Sequence, residues 1–333
     1  MTETPVQSIK TDAAARFIRP LRLSATEDLR GYVGSHIGNG ILFLTTFLSV
    51  VAVLLIFFYV IGEALPFFLK GSFTEAFTRI KDFLFTNRWY PQSEHAPEYG
   101  ALAIIVGSLT VTVSSLVLAV PIGLLAAVFL SDIAPFSLRQ ICKPIIEILA
   151  AIPSVAYGVF AVMVVAPWMQ THLGFSTGTN ALNASLILAV MALPTIISVA
   201  EDALSAIGRE MREASYALGA TRAETMVKVI IPVGHSGIVA AVILGMMRAI
   251  GETMVVWMAS GNAARIQSPW WDLSQSIRTM TATIAGELGE VPKGTDHYYV
   301  LFGIGLLLLA FTFTLNLCSE YFMAQVKKQA RGH

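Results

Sequence analysis

The sequence is poor in charge and in cysteine. Only 13% of its 333 residues are Asp, Glu, Lys or Arg, while 55% are hydrophobic. An average soluble domain carries about 25% charged residues, so a water-soluble globule is excluded and a bilayer is the expected solvent. Net charge is zero, which removes any bulk electrostatic attraction to nucleic acid or anionic surfaces. The two cysteines, Cys142 and Cys318, fall on the side assigned below to the cytoplasm, where structural disulfides are rare, and are expected as free thiols. No Gly-Lys dipeptide occurs, so a Walker A loop is absent and any ATP must be bound by another polypeptide. The histidines at 36, 95, 172, 235, 297 and 333 are scattered over loops, ends and termini without metal-ligand spacing. An intramembrane enzyme would need a histidine cluster or paired acids within its spans.

Long apolar runs are plentiful. A spanning helix takes about 20 of them in a row, and six candidates follow: Ile41 to Ile61, Tyr99 to Ser131, two within Ile148 to Ala200 separated by the polar, glycine-bearing stretch 171–180, Pro232 to about Ser260, and Tyr298 to Ser319. The first run is longer than a signal-peptide core and lacks a small-residue cleavage site, so it is expected to stay as a span. Pro121, Pro153 and Pro194 lie within apolar runs and predict kinks. An even count places both termini on one side. Loops on that side hold 14 Lys and Arg against 7 on the other, so both termini are expected in the cytoplasm. The resulting plan is a cytoplasmic N-terminal segment (1–38), a six-span permease domain (39–322) with an external loop (62–98) and a cytoplasmic loop (201–232), and a cytoplasmic tail (323–333). In the external loop, Phe73, Phe77, Ile80 and Leu84 are spaced for one face of a short helix. With Trp89 and Tyr90 behind it, that helix is expected to lie along the membrane interface.

The loop between spans four and five is the most informative. Residues Glu201 to Leu218 favour helix, Gly219 can end it in a left-handed cap, and Thr221 with Glu224 forms a capping box for a second helix. Such a hairpin is a rigid knob, on which Tyr216, Leu218 and Met226 would gain from a groove in a partner.

Glu213-Ala214-Ser215, three residues, Gly219, nine residues, then Val229-x-Ile231-Pro232 resembles the EAA motif of permease subunits of bacterial ABC importers. The conservative departures are Ser215, Val229 and Ile231. In that family the motif forms the coupling helix that docks on a nucleotide-binding subunit. The resemblance implies this role for Glu213, Ala214, Ser215, Tyr216, Ala217, Leu218, Gly219 and Ala220.

Arg248 and Glu252 stand inside the fifth apolar run, where an Arg at the bilayer centre costs about 2.5–3.5 kcal/mol. A spacing of four puts them on one helix face, compatible with an ion pair. It is equally compatible with Arg248 lining a path and offering its fork of donors to an oxyanion, with Glu252 in a gating, pairing or proton-linked role. The segment Arg248-Ala249-Ile250-Gly251-Glu252-Thr253-Met254, Ile152-Pro153-Ser154-Val155-Ala156-Tyr157-Gly158, Trp89-Tyr90-Pro91 and Tyr99-Gly100 together resemble the C-type transmembrane permease subunit of the phosphate-specific transport (Pst) ABC importer. The resemblance implies an all-α integral membrane protein of the ABC importer permease type with a cytoplasmic coupling helix in the bacterial inner membrane. It implies a substrate pathway through Arg248, Glu252, Thr253 and Ser154. It also implies phosphate import by alternating access, with no cofactor on this chain and ATP with Mg hydrolysed by the partner ATPase. The implied partners are an A-type permease, two ATPase subunits and a periplasmic phosphate-binding protein. Chemistry alone leaves sulfate and molybdate open, and a stand-alone secondary transporter would have no need of the hairpin.

Overall fold

The computed structural model describes residues 25–93 and 95–331, with side chains described for 37–93, 95–318 and 320–321. The N-terminal segment 1–24 and residues 332–333, part of the two terminal segments expected from sequence, lie outside the described residues. The described chain is mostly helical, with irregular stretches such as 260–279 and an antiparallel pair of two-residue strands, β1 (Trp89–Tyr90) and β2 (Glu98–Tyr99).

Among the described residues, six helical segments are long and apolar enough to cross a membrane. The first is the Ile37–Phe68 part of α1 (Ala25–Phe68). The second is α3 (Leu102–Val128) with its π-helical extension Phe129–Ile133. The third, Ser154–Leu173, comprises α5 (Ser154–Phe160), a π-helical turn (Ala161–Val165) and α6 (Ala166–Leu173). The fourth is α7 (Ala181–Ser205). The fifth combines α9 (Arg222–Thr225), a π-helical turn (Met226–Ile230) and α10 (Ile231–Gly251). The sixth is the Asp296–Cys318 part of α13 (Asp296–Arg331). The remaining helices are α2 (Phe73–Phe85), α4 (Phe136–Ala151), α8 (Arg209–Ala217), α11 (Met254–Ala259) and α12 (Met280–Glu287).

The fifth span starts at Arg222, ten residues before the expected Pro232, and three further departures from the sequence reading have a local reason. The third span begins at Ser154 and not at Ile148, because Ile152 and Pro153 are both extended and end α4. Proline disfavours helix in the residue before it, so Pro153 separates two helices and does not kink one. The helix expected over 201–218 is two helices, divided where Ile207-Gly208 leads into α8, with Gly208 extended as its N-cap. The fifth span, expected to run to Ser260, stops at Gly251. Pro121 and Pro194 do lie inside helices, α3 and α7.

Span α7 is the most buried and packs chiefly against α3 and α10. Apolar side chains gain nothing by leaving lipid for protein, so close approach through small residues is what joins spans. Ala119, Ala189 and Ala192 are buried together around Ile196. An added Cβ on Gly123 or Gly245 would come within 2.7 or 2.6 Å of that isoleucine. A second apolar cluster joins Phe67, Phe83, Trp89, Ala101, Ile104, Met280 and Leu301 at the opposite end from the hairpin. There α2 buries Ala76 and Phe83 and leaves Phe73 and Phe77 exposed. Leu84, expected on the same face, instead packs into the cluster.

Candidate functional site: an interrupted span and a capped hairpin

Arg248 lies in the last turn of α10, while Glu252 is extended (φ −72°, ψ 131°) and Thr253 precedes α11. The helix therefore ends between the two charges, and the four-residue spacing does not bring them onto a common face. No ion pair joins Arg248 to Glu252. Instead Arg248 Nη2 donates to the Ala150 carbonyl at 3.4 Å, and its Nε is buried without a partner. The Tyr157 hydroxyl donates to the neighbouring Leu149 carbonyl at 3.0 Å. Both acceptors belong to the last turn of α4, whose carbonyls lack intrahelical donors because the chain turns extended before Pro153. A guanidinium there also complements the negative end of the helix dipole. Ser154 follows directly, half-buried at the start of α5.

Thr253 Oγ1 donates to the Gly251 carbonyl at 3.4 Å and Thr281 Oγ1 to the Glu252 carbonyl at 2.8 Å. A small cavity beside Glu252 is lined by Ser108, Thr112, Thr279 and Thr281 among apolar neighbours. These hydroxyls were missed in the sequence, where the only signal was a scatter of Ser and Thr in apolar runs. Arg248 is thus held at the end of α4, shortly before Ser154, while Glu252 and Thr253 lie at the break that follows α10. The site offers a half-buried guanidinium with an unused donor, a carboxylate held apart from it, and a surround of hydroxyls.

The hairpin forms largely as its residue types predict. Gly219 adopts φ +86°, open to glycine at no steric cost. The amides of Leu218, Gly219 and Ala220 return to the Ala214, Tyr216 and Ser215 carbonyls. Thr221 and Glu224 make both halves of the capping box, with Thr221 N to Glu224 Oε2 at 3.0 Å and Glu224 N to Thr221 Oγ1 at 3.3 Å. Leu218 is 89% exposed, and Glu213, Ala214, Tyr216 and Ala217 are exposed beside it. Met226, expected on that outer surface, is buried with Leu204 and Ile230, because the π-helical turn carries it inward. Ser215 is also buried.

Arg212 fastens the hairpin to the bundle. Its Nε donates to Asp132 Oδ1 at 2.8 Å, Nη2 to the Leu204 carbonyl at 3.0 Å, and Nη1 to the Ile207 carbonyl. A second set of charges escaped the sequence reading. Glu201, 3% exposed, accepts from Arg139 and from Lys143 Nζ at 2.9 Å, and from Ser205 Oγ at 3.0 Å. Lys143 reaches Asp202 as well, at 2.9 Å. Bonds to Asp202 and Glu201 raise the Lys143 ammonium above its ordinary pKa against a smaller opposing effect of burial.

The relatives agree with this architecture. Residues 119–332 match the family described as binding-protein-dependent transport system inner membrane component. The probable ABC transporter permease protein YqgH of Bacillus subtilis is 36% identical over 246 residues, covering 74% of this chain and 78% of that protein. The phosphate transport system permease protein PstC of Mesorhizobium japonicum is 32% identical over 284 residues (80% and 84% of the two chains), and that of Haemophilus influenzae 34% over 269 (75% and 82%). Among solved structures, a bacterial ABC transporter involved in import of the acidic polysaccharide alginate superposes with a TM-score of 0.54 at 16% identity, covering 88% of this chain and 99% of that one. The chain thus belongs to the binding-protein-dependent transport system inner membrane component family and is an ABC transporter permease subunit.

Proposed function

We propose that this chain is the C-type permease subunit of a phosphate importer. The carrying observation is Arg248, a cation within the bilayer span whose Nε is buried and unpartnered and which the nearby Glu252 does not neutralise. An unneutralised guanidinium in low dielectric favours an oxyanion, and its planar donors match phosphate oxygens. Several relatives named as phosphate transport permeases, at 32% and 34% identity, support phosphate over sulfate or molybdate. Glu252, Thr253 and Ser154 complete the pathway on this side, with Glu252 as a gating, pairing or proton-linked group.

The assembly pairs this chain with an A-type permease, two ATPase subunits that bind ATP and Mg, and a periplasmic phosphate-binding protein. Both termini are cytoplasmic in the bacterial inner membrane, with segments 1–38, 39–322 and 323–333 as the organisation of the chain. The 213–220 turn is the coupling helix, and its exposed Leu218 supports an apolar groove as the docking site. Moving each negative charge inward against 100 mV costs about 2.3 kcal/mol, which hydrolysis would supply through alternating access.

The test is labelled phosphate uptake in phosphate-starved cells, with sulfate and molybdate as competitors. The expected result is uptake resisting both competitors and abolished by Arg248→Ala. Normal uptake by that variant would remove Arg248 from the mechanism, and equal competition by sulfate would overturn phosphate.

A further inference from the structure

The helix α4 lies between two extended breaks, Pro135 at its start and Ile152-Pro153 at its end. It touches both halves of the machinery. Its first two turns carry Arg139 and Lys143, which grip Glu201 near the end of α7. Its last turn presents the Ala150 carbonyl to Arg248. One turn beyond Glu201, the Leu204 and Ile207 carbonyls are held by Arg212 of the hairpin helix α8. A continuous set of contacts therefore runs from α8 through the end of α7 and along α4, about 16 Å from Arg139 to Ala150 at the usual helical rise, to the guanidinium in the fifth span.

A passive connector would not need this. Glu201 is 3% exposed, and a carboxylate removed from water is costly unless paired and hydrogen-bonded. It has both, and the bonds fix the rotation and height of α4 against α7, which a greasy contact could not do. The contact at the other end is long, 3.4 Å, and leaves Nε unpartnered. It is one that Arg248 can exchange for a better acceptor.

We infer that Glu201 is a positioning residue: through Arg139 and Lys143 it makes α4 move as one body with α7. Displacement of the hairpin then withdraws the Ala150 carbonyl from Arg248. The inference rests on the permease reading with ATPase docking at the hairpin; it does not require the substrate to be phosphate.

The experiment uses the whole transporter in proteoliposomes, with its partner permease, ATPase and binding protein. Spin labels are placed at Ile145→Cys on α4 and Val190→Cys on α7, in a Cys142→Ser, Cys318→Ser background. The expected label distance is narrow and identical without nucleotide and after vanadate trapping with ATP. In Glu201→Gln, and in the milder Lys143→Gln should the first fold poorly, the distance broadens. Substrate moved per ATP falls about tenfold while hydrolysis continues, and Glu201→Asp restores both. A distance that stays narrow in both variants, or an unchanged yield per ATP, overturns the inference. Wild-type vesicles whose distances behave as stated, but which hydrolyse ATP without moving phosphate, support the inference and count against the phosphate reading.

Discussion

The Ser215 and Thr225 hydroxyls lie 2.8 Å apart, both buried, and bolt the two arms of the hairpin together across the Gly219 turn. Position 215 is where the chain departs from the Glu-Ala-Ala form of the family motif, and Thr225 is the residue that the departure serves. Ser215→Ala leaves the Thr225 hydroxyl without this partner in a buried place. It should cost about 1–3 kcal/mol, read as a lower midpoint in thermal unfolding of the detergent-solubilised protein. The double variant Ser215→Ala, Thr225→Val should recover most of the loss. If it is no better than the single one, the pair is not the source of the effect.

At Gly219 the constraint is conformational and not steric. Its φ is +86° and an added Cβ would meet nothing within 4 Å. Gly219→Ala should therefore destabilise the turn by only about 1 kcal/mol, with ATPase association retained. A complete loss of association would mean that the glycine is itself covered by the partner.

Leu218 separates docking from stability. At 89% exposure it adds almost nothing to the folded chain alone. Leu218→Asp should leave the unfolding midpoint unchanged and weaken co-purification of the ATPase by about tenfold or more, the size expected for an interface anchor. Equal recovery of the ATPase would move the docking surface elsewhere.

At the opposite end, Glu287 Oε2 lies 2.8 Å from His297 Nε2, and the carboxylate also accepts from Trp89 Nε1 at 3.2 Å and from Arg278. Burial pushes this carboxyl up, but the bonds from His297 and Trp89 and the Arg278 charge outweigh it and hold it below the ordinary carboxylate range. A lowered native pKa gives stability that is complete above the unfolded value, about 4.3, and lost as pH falls through the native one. Acid unfolding of the wild type should be steeper below about pH 4 than that of Glu287→Gln, which should be less stable at neutral pH. Parallel pH profiles would refute the linkage.

What could be read from residues alone was whatever depends on one stretch of chain. The six spans, the Gly219 cap and the Thr221–Glu224 box are of this kind, since each is decided by apolar length or by a side chain reaching its own backbone. The break at Glu252-Thr253 was hidden because Met246 to Ser260 is apolar enough to pass for one helix. Only the contacts of Thr281 and α12 with it show what the interrupted backbone rests against. Likewise Arg248 and Glu252 looked like a pair by spacing, yet the partner of Arg248 is a carbonyl 98 positions away in sequence. The Glu201 cluster was invisible for the same reason, its cations lying 62 and 58 positions upstream.

The interruption after Gly251 also sets how firmly the local backbone is held. A helix that stops inside a bilayer strands amides and carbonyls, and hydrocarbon cannot satisfy them. Here protein groups satisfy part of the joint: the Glu252 amide donates to the Ala249 carbonyl, and the Gly251 and Glu252 carbonyls accept from Thr253 and Thr281, while Thr253 gives α11 no side-chain cap. The first amides of α11 are therefore the most loosely held backbone at the depth of the lipid tails. Amides 253–255 should exchange with deuterium faster than those of the α10 interior, although both lie at membrane depth.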